Sequence, residues 1–309
     1  MSVWPKKIVF VSVVLIAAAL SLFYSYLLAQ DPDFEWIMVD VNYSAQQADA
    51  HFIKVKNGKT ILIDAGHRKT AKKSLLPFLK ERSVSELDIV FISHPHVDHY
   101  GGLDILLNNG IKIKEVYFNI PDRTVCDREI PWGCDYKDVL KLHKKLKSNG
   151  VIVKTAKAGQ KYSLGRDTWI DLLYAFDGVD TPVGKTDVND LSLIMMLHHN
   201  QYKFLFTGDL NHKIGTYLAK TAEDISADIL KVPHHGTEAV APNSFFKKVD
   251  PEYALVPAPK QLWLGNRSQR IRNWFSQNNI PVYVNGISGN ISVTVSGSTL
   301  TVIAENDIN

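Results

Sequence analysis

The chain has 309 residues, of which 45% are hydrophobic and 22% are charged, so it can bury a full core and has the composition of an ordinary globular protein. Its formal net charge of +3 is too small to indicate by itself a protein that binds nucleic acid or a membrane surface. The partners must therefore be inferred from the side chains of a functional site.

The first predicted element is an apolar helix over residues 8–29, which contains no charged residue, proline or glycine and follows Lys6 and Lys7. Such a helix reaches roughly 33 Å, enough to cross a bilayer core of roughly 30 Å. The lysine pair favours a cytoplasmic N-terminus and a domain outside the cytoplasm. We expect residues 1–30 to be an uncleaved membrane anchor; the alternative is a cleaved signal segment, which would leave a secreted protein.

Two alternating strands over residues 50–55 and 60–64 follow, and the turn sequence KNGK between them predicts a hairpin. The second strand ends at Asp64. A helix is predicted over residues 74–82, and an apolar strand over 88–93 leads directly into a cluster of histidines.

An amphipathic helix is predicted over residues 136–148, ending before Gly150. The remaining predicted elements are strands at 169–174, 191–197, 202–207, 228–232, 253–256, 282–284, 291–295 and 300–303, and a helix near 268–277. Strands and helices thus mix in an order that is typical of a layered α/β sandwich rather than of a strict βαβ alternation.

The two cysteines, Cys126 and Cys134, lie close together in the chain. In an oxidising compartment they would close a small loop, whereas in the cytosol they would remain free thiols. The predicted export favours the disulfide.

The sequence HPHVDH places His94, His96, Asp98 and His99 at the end of a strand. Imidazole and carboxylate are ligands that zinc and similar ions prefer, and this density can serve two adjacent ions. His94 and His96 can point one way while Asp98 and His99 point the other, which gives each ion its own pair. Four metal-competent side chains at this spacing predict a metal site rather than a solvated loop.

This run resembles the HxHxDH signature of the metallo-β-lactamase superfamily. ILIDAG, FLFTGD and ILKVPHHGT resemble three further motifs of that family, the last being typical of the branch that includes competence DNA-uptake proteins and cell-wall phosphorylcholine esterases. The resemblance implies a four-layer αβ/βα sandwich over residues 31–309, with Asp209 bridging two divalent ions and Asp64 supporting the loop. The ions would be zinc, with manganese as the alternative. The expected metal ligands are His94, His96, Asp98, His99, Asp209 and His234.

Many members of the family have a third histidine ligand where this chain has Asn189. The predicted strand order returns Asp187, Asn189, Asp190 and Ser192 to the metal edge, and it places the turn with His198 and His199 about 20 Å away, where a solvated turn is expected. The branch with PHHG resembles this chain in having asparagine and serine at this point. By this analogy the missing histidine favours phosphoester hydrolysis over lactam or thioester hydrolysis.

His234 and His235 follow a strand end, where successive side chains point to opposite faces, so one of the two is expected to bind metal and the other to contact substrate. We predict His234 as the ligand, with the reverse order left open. The predicted catalytic residues are then Asp98, which would orient the nucleophile, and Asn189, Ser192 and His235, which would contact substrate oxygens.

Other residues near the motifs have open roles. Arg267 or Gln269 stands where relatives often have a further histidine. Arg267, Arg270 and Arg272 either hold an anion or form a solvated helix face. Trp132 and Trp263 either line a base or choline pocket or anchor the core and loops.

The sequence therefore predicts a metal-dependent hydrolase, held to the membrane by its N-terminal helix, that cleaves phosphoesters or phosphodiesters outside the cytoplasm. Its substrate would be nucleic acid, teichoic acid or phosphorylcholine. The alternatives are an acyl or lactam hydrolase of the same fold and a non-catalytic module tethered to the membrane.

Overall fold

The computed structural model describes residues 31–42, 46–127, 134–176 and 181–306. Two mixed β-sheets face each other, and helices cover both outer surfaces, which confirms the predicted α/β sandwich. Within these residues no helix is long and apolar enough to cross a bilayer. The predicted membrane segment, residues 1–30, lies outside the described part of the chain.

The first sheet has eight strands in the spatial order β15-β14-β1-β2-β3-β4-β5-β6. In chain order they are β1 (Phe34–Met38), β2 (Ala50–Val55), β3 (Thr60–Ala65), β4 (Glu86–Ile92), β5 (Lys112–Phe118), β6 (Ile152–Lys154), β14 (Ile291–Ser296) and β15 (Thr299–Ala304). Strands β3 to β6 run parallel to one another, and the other pairs are antiparallel.

The second sheet has seven strands in the order β13-β12-β11-β10-β9-β8-β7. They are β7 (Lys161–Gly165), β8 (Thr168–Tyr174), β9 (Ile194–His199), β10 (Tyr202–Phe206), β11 (Ile229–Lys231), β12 (Tyr253–Pro259) and β13 (Val282–Val284). Strands β10 to β13 are parallel, whereas β7 to β10 are antiparallel.

The helices are mostly short. They are α1 (Arg68–Ala71), α2 (Leu75–Glu81), α3 (Val97–Tyr100), α4 (Gly102–Asn108), α5 (Arg123–Cys126), α6 (Tyr136–Ser148), α7 (His212–Thr221), α8 (Asn243–Val249), α9 (Lys260–Leu264), α10 (Gln269–Gln277) and α11 (Asn285–Ser288). Single 3-10 turns occur at Asn189–Leu191, Pro233–Gly236 and Asn266–Ser268.

The aromatic core lies between the two sheets. Trp36 of β1 packs against Phe204 and Phe206 of β10, with ring centroids 6.0 and 4.5 Å apart. Burying a large apolar side chain contributes about 1.5–3 kcal/mol, so these contacts hold the sheets face to face. The outer faces carry separate apolar clusters, under α2, α4 and α6 on one side and under α7, α8 and α10 on the other.

The predicted elements were largely correct, with two kinds of exception. The strand expected from residue 191 begins at Ile194, because Asn189–Leu191 form a 3-10 turn. Strands β1, β5, β6 and β7 were not predicted, and neither were most of the short helices, among them α4, α7 and α8. Their apolar residues are interspersed with charged ones, as in KIKEVYF of β5, so the hydrophobic period alone did not distinguish them from loops.

Four strand ends fix the position of the functional residues. Parallel strands β3 and β4 end at the same edge of the first sheet, and parallel strands β10 and β11 end together in the second. The backbone N–H of Leu193 donates to the carbonyl of Ser93 over 2.9 Å, which joins the two edges. The segments after these four strands therefore meet between the sheets.

Candidate metal centre

The first pair of imidazoles follows β4. His94 Nδ1 lies 3.0 Å from Ser93 Oγ, and that hydroxyl also lies 2.8 Å from Asp64. Because a carboxylate only accepts, the hydroxyl donates to Asp64 and accepts the Nδ1 proton of His94. His94 Nε2 is therefore a bare lone pair, 3.1 Å from His96 Nδ1. Burial, with His99 and His96 nearby, holds the pKa of His94 well below its usual value, so the ring is neutral and fit to bind a cation.

Asp64 orients the next imidazole. This buried carboxylate accepts from the backbone N–H and hydroxyl of Ser93 and from Nδ1 of His99, at 2.7, 2.8 and 2.8 Å. The bond to His99 puts the proton on Nδ1 and turns Nε2 towards Asp209, 3.4 Å away. A histidine ligand whose second nitrogen donates to a carboxylate is the usual arrangement in metal sites. The predicted supporting role of Asp64 agrees with these contacts.

Asp209 lies at the centre of the cluster. Its Oδ2 atom is 3.2 Å from His235 Nε2, 3.4 Å from His99 Nε2 and 4.0 Å from His234 Nε2. Burial raises the pKa of Asp209, but the nearby His235 and His99 outweigh burial and hold it well below its usual value. The carboxylate is therefore ionised.

Close packing explains the glycine that precedes this aspartate. Gly208 has a φ of +49°, and a Cβ atom there would lie 2.6 Å from Ser192 Oγ. Ser192 is fully buried, and its hydroxyl accepts from the backbone N–H of Asp209 over 2.9 Å. Ser192 therefore positions Asp209, and its predicted contact with substrate stays a prediction.

The side chains of His234 and His235 do not point to opposite faces, as was expected at a strand end. Both adopt left-handed backbone conformations, with φ of 46° at His234 and 52° at His235, so both rings face the same carboxylate. His235 is fully buried, donates from Nδ1 to the carbonyl of Pro257 over 2.7 Å, and has Nε2 3.7 Å from Asp98 as well as 3.2 Å from Asp209. The structure thus places His235 among the metal-competent groups, whereas the sequence analysis predicted His234 as the ligand.

His234 lies nearer the surface, with 14% of its side chain exposed. Its Nδ1 is 2.6 Å from Asn211 Oδ1, and Nδ2 of Asn211 donates to Asp187 over 2.7 Å. Since a carboxylate accepts only, the Asn211 amide oxygen must face His234 and take its Nδ1 proton. The Nε2 lone pair of His234 then points towards Asp209. Sequence reasoning missed Asn211.

The donor set fits metal ions. Three-residue groups with ligand atoms within 4.8 Å of one another include His94, His99 and Asp209, and Asp98, His99 and His235. Among the described residues, the buried atoms His96 Nε2, His99 Nε2, His235 Nε2 and Asp209 Oδ1 have no hydrogen-bond partner. Buried polar groups are seldom left unpaired, so partnerless imidazole nitrogens and a partnerless carboxylate oxygen in this cluster indicate a cation site. Four of the six predicted ligand residues belong to these groups, namely His94, Asp98, His99 and Asp209, and so does His235. The other two lie beside them: His96 Nδ1 is 3.1 Å from His94 Nε2, and His234 Nε2 is 4.0 Å from Asp209 Oδ2.

A buried ion pair lies beneath the cluster, and sequence reasoning missed it. The ammonium of Lys231 contacts the Asp49 carboxylate, donates to the Gly208 carbonyl over 2.7 Å and lies 3.7 Å from Asp209 Oδ1. Burial lowers the pKa of Lys231, but Asp49 and Asp209 outweigh it and hold the pKa above its usual value. A lysine within the apolar strand sequence ILK was the one available signal.

Asp49 is also fixed from the other side. Nε2 of His51 lies 2.7 Å from its carboxylate, and Nδ1 of His51 accepts from Trp36 Nε1 over 3.2 Å. The backbone N–H of Asp49 donates to the carbonyl of Asp98 over 3.2 Å. The polar network therefore links the sheet interior to the metal loop.

The segment around Asn189, where many members of the family have a third histidine ligand, does return to the site. Asp190 Oδ1 accepts from the backbone N–H of Asn211 over 2.8 Å, and burial followed by the neighbouring Asp187 raises the pKa of Asp190 to about 7. Asn189 is nearly buried, and its Oδ1 atom has no partner among the described residues. No histidine stands in this segment.

Two further histidines for which predictions were made, His198 and His199, lie in the second sheet. His198 and His199 lie away from the metal cluster, as expected. The prediction of a solvated turn is wrong, because both belong to β9: His199 is buried and bonded to Thr168 Oγ1 over 2.7 Å, and His198 stacks on Trp169.

The arginines after the motifs support the backbone instead of an anion. Arg270 donates to the carbonyls of Val240 and Ala241, and Arg272 donates to that of Gly265 over 2.8 Å. Exposed Arg267 pairs with Glu238. Gln269 begins α10.

Of Trp132 and Trp263, the structure describes only Trp263. Trp263 is buried beneath Gly236, where a Cβ atom would lie 2.9 Å from its ring, so it anchors the PHHG turn. Trp132 lies outside the described residues.

The two cysteines form a disulfide. Cys126 and Cys134 pack with Phe176, Val188 and Leu191, so the disulfide supports the segment that holds Asn189. The predicted pairing is confirmed.

Comparisons with known proteins agree with this site. The model of the metallo-beta-lactamase superfamily matches residues 44–259. ComE operon protein 3 of Bacillus subtilis (strain 168) is 25% identical over 220 residues, which cover 71% of this chain and 26% of that protein. Endoribonuclease ysh1 of Schizosaccharomyces pombe (strain 972 / ATCC 24843) is 36% identical over 77 residues, covering 25% of this chain and 10% of that protein.

This chain therefore spans about a quarter or less of the length of these two relatives. Among solved structures, the CmlA beta-hydroxylase E377D mutant superposes with a TM-score of 0.52 at 12% identity, covering 86% of this chain and 55% of that one. At this identity the likeness concerns the fold alone.

Proposed function

Because this chain belongs to the metallo-β-lactamase superfamily, we propose that it is a metal-dependent phosphodiesterase that holds two divalent ions. The observation that carries the proposal is the convergence of imidazole lone pairs on Asp209 in a site without a histidine in the segment around Asn189. By analogy within the family, that donor set favours phosphoester over lactam or thioester substrates.

Two ligand sets share Asp209. His94 and His96, whose facing nitrogens are 3.1 Å apart, would hold one ion with Asp209. Asp98, His99 and His235 would hold the other. Four imidazoles near Asp209, those of His94, His99, His234 and His235, have Nδ1 tied to an oxygen, so their Nε2 atoms are oriented before any ion binds. Zinc suits these ligands, and manganese is the alternative.

When bound, a pair of divalent ions supplies a water whose pKa falls from about 15.7 towards about 7 and positive charge beside the phosphoryl oxygens. The protein residues supply the rest. Asp98 is partly exposed and can accept a hydrogen bond from the attacking water. His234, held by Asn211 and partly exposed, keeps an Nε2 lone pair that would accept a hydrogen bond from a water or a substrate hydroxyl. The side-chain amide of Asn189 would donate to a phosphoryl oxygen.

Nucleic acid is the substrate class that we favour over teichoic acid and phosphorylcholine. The support is the similarity to a protein named as an endoribonuclease, over 77 residues of this chain. We further propose that residues 1–30 anchor the protein and leave the hydrolase domain outside the cytoplasm. The disulfide between Cys126 and Cys134 supports an oxidising compartment.

Turnover of bis-p-nitrophenyl phosphate by the full chain with added zinc or manganese tests the proposal. We expect hydrolysis that is lost on chelation and in His96→Ala, and retained in His143→Ala, which removes an imidazole from α6 away from the cluster. Faster turnover of nitrocefin or a thioester than of the diester would contradict the phosphodiesterase assignment. Metal binding without hydrolysis of any of these would support a non-catalytic module.

A further inference from the structure

The positive charge of this protein is concentrated on one surface, which we call the cationic face and define as residues 66–74 and 135–150. These two segments contain nine basic residues and two acidic ones, so their net charge is +7, whereas the whole chain has +3. The remainder of the chain is therefore negative by four charges. The nine basic residues are Arg68, Lys69, Lys72, Lys73, Lys137, Lys141, Lys144, Lys145 and Lys147.

The two segments lie side by side. Arg68 of α1 donates to Asp138 of α6 over 2.6 Å, and the Tyr100 hydroxyl donates to the same carboxylate over 3.0 Å. Apolar residues Val139, Leu142 and Leu146 bury the inner side of α6 and turn its lysines outward. The surface is therefore one continuous patch.

Most of this charge is available to a partner. Of the nine basic residues, Arg68 pairs with Asp138, and Lys145 pairs with Asp104. Lys69, Lys72, Lys137, Lys141, Lys144 and Lys147 are exposed and have no ion-pair partner within the described part of the chain. Clustered cations without compensating acids create a positive potential that attracts a polyanion.

The cationic face begins at the rim of the metal centre. Tyr100, which is bonded to Asp138, directly follows His99 in the chain. His67 caps α1 by accepting from the backbone N–H of Lys69 over 3.0 Å, and it is close enough to Asp98 for that carboxylate to influence its pKa. From this rim α6 extends about 20 Å outward at 1.5 Å per residue.

We propose that a nucleic-acid strand lies along the cationic face, with its phosphates on the lysines of α1 and α6, and enters the metal centre between His67 and Asp98. This inference rests on the proposed phosphodiesterase function and gives that site a polymeric substrate. Binding of this kind neutralises phosphates and releases counterions, so it weakens with salt in proportion to the number of contacts.

The test is fluorescence anisotropy with labelled single-stranded RNA and DNA 20-mers, using the full chain in chelator so that no strand is cut. The quadruple variant Lys137→Ala/Lys141→Ala/Lys144→Ala/Lys147→Ala removes four exposed charges. We expect at least tenfold weaker binding, and a slope of log K against log salt that is smaller by about 3, since each lost contact to a single strand removes about 0.7. Replacement of the same four by arginine should retain binding.

The matched control is Lys54→Ala/Lys220→Ala/Lys247→Ala/Lys260→Ala, which removes the same charge from exposed positions elsewhere and should leave affinity and slope near those of the parent. An equal loss of nucleic-acid affinity in the two quadruple alanine variants would overturn the proposal. So would stronger binding of poly(glycerol phosphate) than of an oligonucleotide of equal charge. If lysine-dependent binding is found but bis-p-nitrophenyl phosphate is not hydrolysed, the proposed catalytic function fails and the docking face remains.

Discussion

The Nε2 atom of His235 lies 3.2 Å from Oδ2 of Asp209, whereas that of the neighbouring His234 lies 4.0 Å from the same oxygen. The buried ring also approaches Asp98, and the outer ring is partly exposed. Two adjacent imidazoles therefore face one carboxylate from different depths, and under the proposed function the deeper one would bind metal while the outer one would contact substrate.

Alanine substitutions should separate these roles. His235→Ala is expected to lose about one equivalent of zinc per chain, because one ion loses a protein ligand. His234→Ala should keep both ions and show a reduced kcat/KM for the phosphodiester. Metal analysis by mass spectrometry together with steady-state kinetics would decide; loss of metal in His234→Ala with none in His235→Ala would reverse the assignment.

Asp64→Asn tests how His99 is oriented. The amide accepts one fewer bond than the carboxylate, so Nδ1 of His99 and the Ser93 groups compete for one oxygen. Zinc affinity should fall about 10–100-fold, as is typical when such a supporting group is changed. Competition with a chromogenic chelator measures it, with Asp224→Asn as the exposed control. Unchanged zinc affinity would show that Asp64 holds the backbone at Ser93 in place but does not orient His99 for metal binding.

Lys231→Met tests the buried ion pair. The substitution keeps most of the side-chain volume but leaves Asp49 buried without its cation, so we expect the free energy of unfolding to fall by about 3–5 kcal/mol. Lys203→Met removes a partly exposed lysine paired with exposed Asp224 over 2.8 Å and should cost less than about 1 kcal/mol. Urea unfolding in chelator compares them, and similar losses in both variants would mean that Lys231 contributes little.

Asp190 predicts a pH dependence of stability. Its pKa is raised to about 7 by burial and by Asp187, against 3.8 for the unfolded chain. Below about pH 3 the carboxyl is neutral in both states. As the pH rises to 7 the unfolded state ionises first, so the free energy of unfolding falls, by up to roughly 4 kcal/mol.

Asp190→Asn removes this ionisation and should be more stable than the parent at pH 8 but similar to it at pH 4. Urea unfolding at both pH values in chelator measures the difference, and exposed Asp250→Asn is the control. If the difference in free energy of unfolding between the parent and Asp190→Asn is the same at both pH values, the raised pKa is contradicted.

The metal loop was predictable because its ligands are adjacent in sequence and chemically distinctive. His94, His96, Asp98 and His99 form one short run, and Asp209 follows a recognisable glycine. The strand pattern also gave most elements of the sandwich. These features depend on residue type and local spacing, which the sequence contains.

The depth of each histidine was not predictable. The order of His234 and His235 depends on two left-handed backbone conformations, and the contribution of Lys231 depends on Asp49 approaching from the other sheet. The charge concentration arises because two segments far apart in sequence pack together through Asp138. Long-range contacts of this kind leave no periodic signal in the chain.

Metal content tests the central claim most directly. The full chain, stripped by chelator and equilibrated with zinc, would be freed of excess metal and analysed by mass spectrometry. We predict two zinc ions per chain, and fewer than one in the double variant His96→Ala/Asp209→Asn. A parent chain that retains no more zinc than this variant would contradict the convergence of these side chains on a shared metal site.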